Sequence, residues 1–112
     1  MHDIIIKQID KIHPVNTSHN TGLKKILVSN KEVESAITQI AITQIDQLSI
    51  VESHVHETMD EHYIFQSGVC DMIVGNKKYE CSIGTYILVP AGVFHSLYAI
   101  TNIEIITIGV VK

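Results

Sequence analysis

At 112 residues the chain has the length of one domain, residues 1–112, and such a domain buries roughly two-thirds of the surface its unfolded chain exposes. Apolar side chains make up 46% and charged ones 18%, which excludes an intrinsically disordered chain. A net charge of −4 with no Lys/Arg cluster excludes a nucleic-acid footprint, and no apolar run nears the roughly 18 residues of a membrane helix.

The opening stretch, Met1-His2-Asp3-Ile4-Ile5-Ile6-Lys7, carries an apolar triplet but neither a basic leader nor a small-residue cleavage site. It does not read as a signal peptide, and the expected compartment is the cytoplasm. From there Ile, Val, Thr and Tyr recur in short runs bounded by Gly, Pro, Asn and Ser, the pattern of strands and turns. Strands are predicted over 3–9, 23–29, 35–45, 49–55, 62–66, 69–74, 78–82, 85–89, 94–99 and 103–111. Residues 12–22, with His13-Pro14 and Asn16-Thr17-Ser18-His19-Asn20-Thr21-Gly22, read as a loop. The best rival to an all-strand reading is a helix over 31–47, which its β-branched Ile and Thr content disfavours.

Ala36-Ile37-Thr38-Gln39-Ile40 repeats at once as Ala41-Ile42-Thr43-Gln44-Ile45. A period of five cannot keep one face apolar in a regular strand, so a bulge or a strand covered on both faces is expected. Farther on, Gly75-Asn76 is a two-residue hairpin signal. Pairing Val74 with Lys77 sets Cys70 opposite Cys81, and these two cysteines read as buried thiols. So many short strands in so small a chain predict an antiparallel sandwich or a closed barrel, and closure also removes exposed edges.

The chemistry sits in two spacings. The first is His54-x-His56-x4-Glu61-x6-Gly68: alternate strand residues share a face, so both imidazoles point one way, about 6.5–7 Å apart along the strand. Glu61 follows the polar turn Glu57-Thr58-Met59-Asp60 and faces the same side as Tyr63 and Phe65. Asp60 and Glu57 are its nearest competitors as an oxygen ligand, and the only carboxylates placed for acid–base work. The second spacing is Gly84-x5-Pro90-x-Gly92-x2-His95, a strand, a turn and a returning strand with His95 near its start. If those strands lie together, His54, His56, Glu61 and His95 form a metal-ligand set. The remaining histidines, His2, His13, His19 and His62, lack partners at ligand spacing and are expected to be solvated. Met59, Tyr63, Phe65, Met72, Tyr79 and Phe94 are the candidates to line an adjoining cavity, Met72 foremost.

These spacings resemble the two motifs of the cupin superfamily, G-x5-H-x-H-x(3,4)-E-x6-G and G-x5-P-x-G-x2-H-x3-N. The fifteen residues between Gly68 and Gly84 match the short intermotif spacing of compact microbial members. Leu48 stands in place of the leading Gly and Ala99 in place of the final Asn; neither is a ligand position. The resemblance implies an all-β fold, an antiparallel double-stranded β-helix or jelly-roll barrel. It also implies one divalent transition metal, and nitrogen and oxygen donors suit Fe, Mn, Ni, Zn, Co or Cu alike. Members of the superfamily include dioxygenases, decarboxylases, sugar isomerases and non-catalytic ligand binders. The function expected is therefore a small metal-dependent enzyme, of dioxygenase or isomerase type, acting on an oxygen-rich metabolite. The alternative is a non-catalytic metal-dependent ligand- or sugar-binding module. The expected partners are a small-molecule ligand or substrate and a second copy of the chain, with Ile4-Ile5-Ile6 or Ile26-Leu27-Val28 as homodimer surfaces; neither nucleic acid nor a membrane is expected.

Overall fold

The computed structural model describes residues 4–112. Ten strands carry almost all the regular structure: β1 Val15–Asn16, β2 Leu23–Ser29, β3 Ile37–Ile45, β4 Ile50–His54, β5 Met59–Ser67, β6 Cys70–Val74, β7 Lys77–Cys81, β8 Tyr86–Val89, β9 His95–Ala99 and β10 Ile103–Val111. They form two antiparallel sheets, a six-stranded one in the order β1-β2-β3-β10-β5-β8 and a four-stranded one in the order β4-β9-β6-β7. This is the double-sheet jelly roll that the two motifs imply. No helix among the described residues is long and apolar enough to cross a membrane.

The inner faces meet in one core of Ile45, Val51, Tyr63, Phe65, Cys70, Met72, Cys81, Val89, Leu97, Ala99, Ile103 and Ile105. The alternation that builds it is plain on β5, where Tyr63 and Phe65 are buried while His62 and Ile64 face outward, half-buried. Ala99 is wholly buried here, so the position where the cupin pattern has Asn is filled by core packing. The Gly75-Asn76 turn pairs Val74 with Lys77 and Cys70 with Cys81, as its length requires. Only Gly75 of the two has positive φ (+64°), the type II′ form with Gly first. Both cysteines are buried free thiols. The Cys70 thiol is pushed up by its hydrogen bond to Cys81 and by burial, and the Cys81 thiol is lowered by the same bond.

Three sequence expectations need correction or refinement. The strand expected over 3–9 does not form: from Ile4 onward there is no regular structure until a 3₁₀ turn at Ile9–Lys11. The apolar triplet finds no neighbouring strand, and Ile4 and Ile6 stay 90% and 83% exposed. Asp3, the first residue of that expected strand, lies outside the described residues, as does His2. The rival helix shrinks to one 3₁₀ turn, Asn30–Glu32, where Ser29 and Glu32 form a capping box. The tandem repeat is accommodated by a bulge. Along β10 the pairing runs from Gly109↔Gln39 to Val110↔Ile37, leaving Thr38 unpaired. Its hydroxyl lies 3.3 Å from the Met59 sulfur, in space that exists because residue 109 is glycine: a Cβ there would stand 2.2 Å from Thr38 Oγ1. Beyond the bulge β3 is regular, with Ala41, Thr43 and Ile45 buried and Ile40 and Ile42 on the outer face.

Candidate metal centre

β9 lies inside the four-stranded sheet between β4 and β6, and its first residue, His95, pairs with His54 at the end of β4. His56 follows two residues beyond β4, and Gly92 N donates to His56 O at 2.8 Å. The two motifs are thus tied together by backbone. Asp60 adds a second tie, its Oδ1 accepting from Ala91 N at 2.9 Å. The Pro90–Gly92 turn is fixed from both sides, so the entry of β9 is fixed too.

Each imidazole is oriented before any ligand arrives. His54 Nδ1 donates to Glu52 O at 2.8 Å and His95 Nδ1 donates to Val93 O at 3.0 Å. A ring whose Nδ1 carries the proton offers the Nε2 lone pair as a donor, the usual support for a metal-binding histidine. One ring nitrogen from each of His54, His56 and His95 lies within 4.8 Å of the others. Donors about 2.1 Å from one ion stand about 3.4 Å apart in tetrahedral geometry, so the three rings are near the span one cation requires and any pair close to the 4.8 Å limit closes inward to bind it. Glu61 comes from the opposite sheet, with Oε1 3.5 Å from His56 Nε2 and 3.6 Å from His95 Nε2.

The electrostatics agree with that geometry. His95 is only 2% exposed, and its Nε2 has no hydrogen-bond partner. A buried orphan of this kind is costly unless something else binds it, and a cation is the partner that three imidazoles and a carboxylate would suit. Burial acts to raise the Glu61 carboxyl, but His56, His95 and Tyr63 outweigh it and hold the group well below the usual carboxylate range. Tyr63 Oη donates to Glu61 Oε1 at 2.5 Å, and burial plus the facing carboxylate push the phenol well up. Glu61 raises His56, whereas burial lowers His54. The residues present therefore fit one divalent cation.

A cavity of about 120 Å³ opens beside this cluster between the sheets. It is small against the roughly 300–1,000 Å³ of drug-sized sites. Met59 and Tyr63 line it as expected, but the other candidates do not. Phe65 and Met72 are 1% exposed in the core, Met72 because its face of β6 turns inward with Cys70, and Tyr79 and Phe94 are 39% and 57% exposed. Of the alternative carboxylates, Asp60 is spent on Ala91 N and Glu57 is exposed.

His19 is the residue that sequence reasoning missed. Expected to be solvated, it lines the cavity, its ring centroid 5.3 Å from that of His54. Burial lowers its pKa, and His54 adds to the effect. The loop that holds it is built: Thr17, 5% exposed, donates from Oγ1 to Thr21 O at 2.8 Å. That donation uses the only hydroxyl proton, so the 3.0 Å contact with His19 Nδ1 has the imidazole as donor and leaves Nε2 as acceptor. The signal lay in the turn chemistry of Thr17, Asn20 and Gly22 rather than in any ligand spacing. Of the others, His13 is exposed and His62 bonds Tyr86 Oη at 2.6 Å on the outer face.

Comparison with solved structures yields the same fold. A predicted oxalate decarboxylase from Thermotoga maritima superposes with a TM-score of 0.88 at 19% identity, covering 96% of this chain and all of that one. Ectoine synthase from P. lautus gives 0.84 at 16% identity, over 96% of this chain and 78% of that one. An RmlC-like cupin from Shewanella frigidimarina gives 0.81 at 12% identity, over 98% and 93%. The fold is that of the cupins. No protein-family model matches the chain, and no curated protein does.

Proposed function

We propose that His54, His56, Glu61 and His95 hold one divalent transition metal, and that the protein is a small metal-dependent enzyme acting on an oxygen-rich small metabolite. The observation that carries this reading is the buried His95 Nε2, orphaned and pre-oriented within reach of three other donors. A metal bound there supplies Lewis-acid polarisation of a chelated oxygen, or redox chemistry if it is iron or copper. The chain's own part is to fix the donors: backbone carbonyls set the His54 and His95 tautomers, and Tyr63 orients the Glu61 carboxylate. Core side chains such as Leu97 and Ile105 help to line the cavity. Two of the structurally similar proteins are described as enzymes, which supports turnover.

A non-catalytic binding module is the second reading. It is favoured by how few acid–base groups near the centre remain uncommitted. Tyr63 and Asp60 are both engaged, which leaves His19. Elemental analysis of protein purified without an affinity tag, followed by oxygen-uptake and product assays on Fe(II)-loaded protein, separates the two readings. Turnover establishes the enzyme, and ligand binding without it establishes the module. His95→Ala and His54→Ala are each expected to lose most bound metal while far-UV circular dichroism keeps its β signature. Unchanged metal stoichiometry in both would overturn the assignment.

A further inference from the structure

The cavity has a second wall, facing the imidazoles, that metal binding does not explain. It comes from β2 and β3 of the six-stranded sheet and carries Lys24, Gln39 and Thr43, with His19 beside them. Lys24 is the one cationic side chain of the lining. An ammonium only donates, so the 2.9 Å contact from Lys24 Nζ fixes the Gln39 amide with Oε1 toward the lysine. Gln39 Nε2 and two of the three ammonium protons are then left without a partner in that pair. The bulge at Thr38 contributes as well, because it sets the register in which Gln39 shares the inner face with Thr43 and Ile45.

Resting on the metal reading above, we propose that Lys24 and Gln39 form a carboxylate subsite, and that the ligand is a small hydroxy acid carrying a second carboxylate. One end reaches the metal through neighbouring oxygens, and the other carboxylate accepts from Lys24 Nζ and Gln39 Nε2. Charge supports this choice. With a divalent cation bound, the Glu61 carboxylate and the Lys24 ammonium leave the lining doubly positive, which a dianion neutralises. Size is consistent with it, since a cavity of about 120 Å³ suits a small ligand. His19 Nε2, held as an acceptor by Thr17, is placed for a ligand hydroxyl.

The test uses full-length protein loaded with Co(II), its metal stoichiometry measured first, then titrated calorimetrically with glycolate and with tartronate. These probes differ by one carboxylate. Wild type is expected to bind tartronate at least about tenfold more tightly, the scale of hydrogen bonds to a charged group. Lys24→Met should bring the two probes within about twofold while metal content and glycolate affinity stay unchanged. Gln39→Glu, which sets a carboxylate against the ammonium, should abolish the preference likewise. Equal binding of both probes to wild type, or a preference that survives in Lys24→Met, overturns the subsite while the metal reading stands. Failure of wild type to retain Co(II) overturns the metal reading, and the subsite with it.

Discussion

Leu48 holds a backbone conformation that L-residues avoid, with φ at +66°, at the position where the cupin motif has glycine. Its amide donates to Ala99 O at 2.6 Å, so the left-handed turn into β4 persists although the side chain does not favour it. The side chain is 64% exposed and contributes little packing in return. Left-handed backbone costs an L-residue about 1–2 kcal/mol, and glycine's extra unfolded-state entropy gives back about 0.5–1. Leu48→Gly is therefore expected to stabilise the protein by about 0.5–1 kcal/mol, read as a raised urea midpoint at unchanged slope. At the proposed metal centre the same scale governs pH. Imidazoles bind metal only when neutral. His54 is lowered by burial and resists protonation, whereas Glu61 raises His56 above its ordinary 6.5. Because a raised pKa keeps the proton bound to higher pH, His56 sets the onset. Metal affinity is expected to begin falling while the pH is still above the ordinary imidazole value of about 6.5, and His56→Gln should move the onset downward in a competition titration with a chromophoric chelator.

Among the elements, the strands were the most legible and their connections the least. The strands expected over 23–29 and 103–111 coincide with β2 and β10, and most others differ by one residue at an end, because β-branched runs between turn residues leave little freedom. His54, His56 and Glu61 could be placed together because period-two alternation and one polar turn fix their faces. The failures have different causes. Residues 4–9 of the strand expected over 3–9 have strand chemistry but no partner edge, and pairing is a property of the whole sheet. His19 depends on a loop whose shape comes from one buried threonine, which no periodicity reports. The ties between motifs were equally invisible, and Asp60 is the clearest. Removing its bond to Ala91 N should loosen the turn that enters β9 and so misplace His95. Supporting contacts of this kind typically matter about 10–100-fold in metal affinity. Asp60→Ala is expected to weaken Co(II) binding about tenfold, with Asp60→Asn, which keeps an acceptor, closer to wild type.

For the whole molecule, the outer face of the six-stranded sheet poses a problem of its own. Ile40 and Ile42 of β3 lie beside Ile108 and Ile106 of β10, and Ile106 lies beside Ile64 of β5. All five are only half-buried, and Leu88 and Tyr86 at the β8 edge are 41% and 55% exposed. Monomeric proteins rarely leave contiguous apolar surface beyond a few hundred Å² uncovered. Part of this face is approached by the N-terminal segment, where Lys25 Nζ donates to Ile9 O at 3.0 Å. Ile4 and Ile6 just ahead of it remain open to solvent. A second copy of the chain would cover both features by a two-fold arrangement in which each partner offers the same patch. The proposed metal centre opens between the sheets and not onto this face, so assembly and ion binding should separate. Light scattering at tens of micromolar is expected to give twice the monomer mass, and Ile106→Lys to give the monomer with its metal stoichiometry intact. A monomeric wild type would leave the isoleucine face without the partner argued for it.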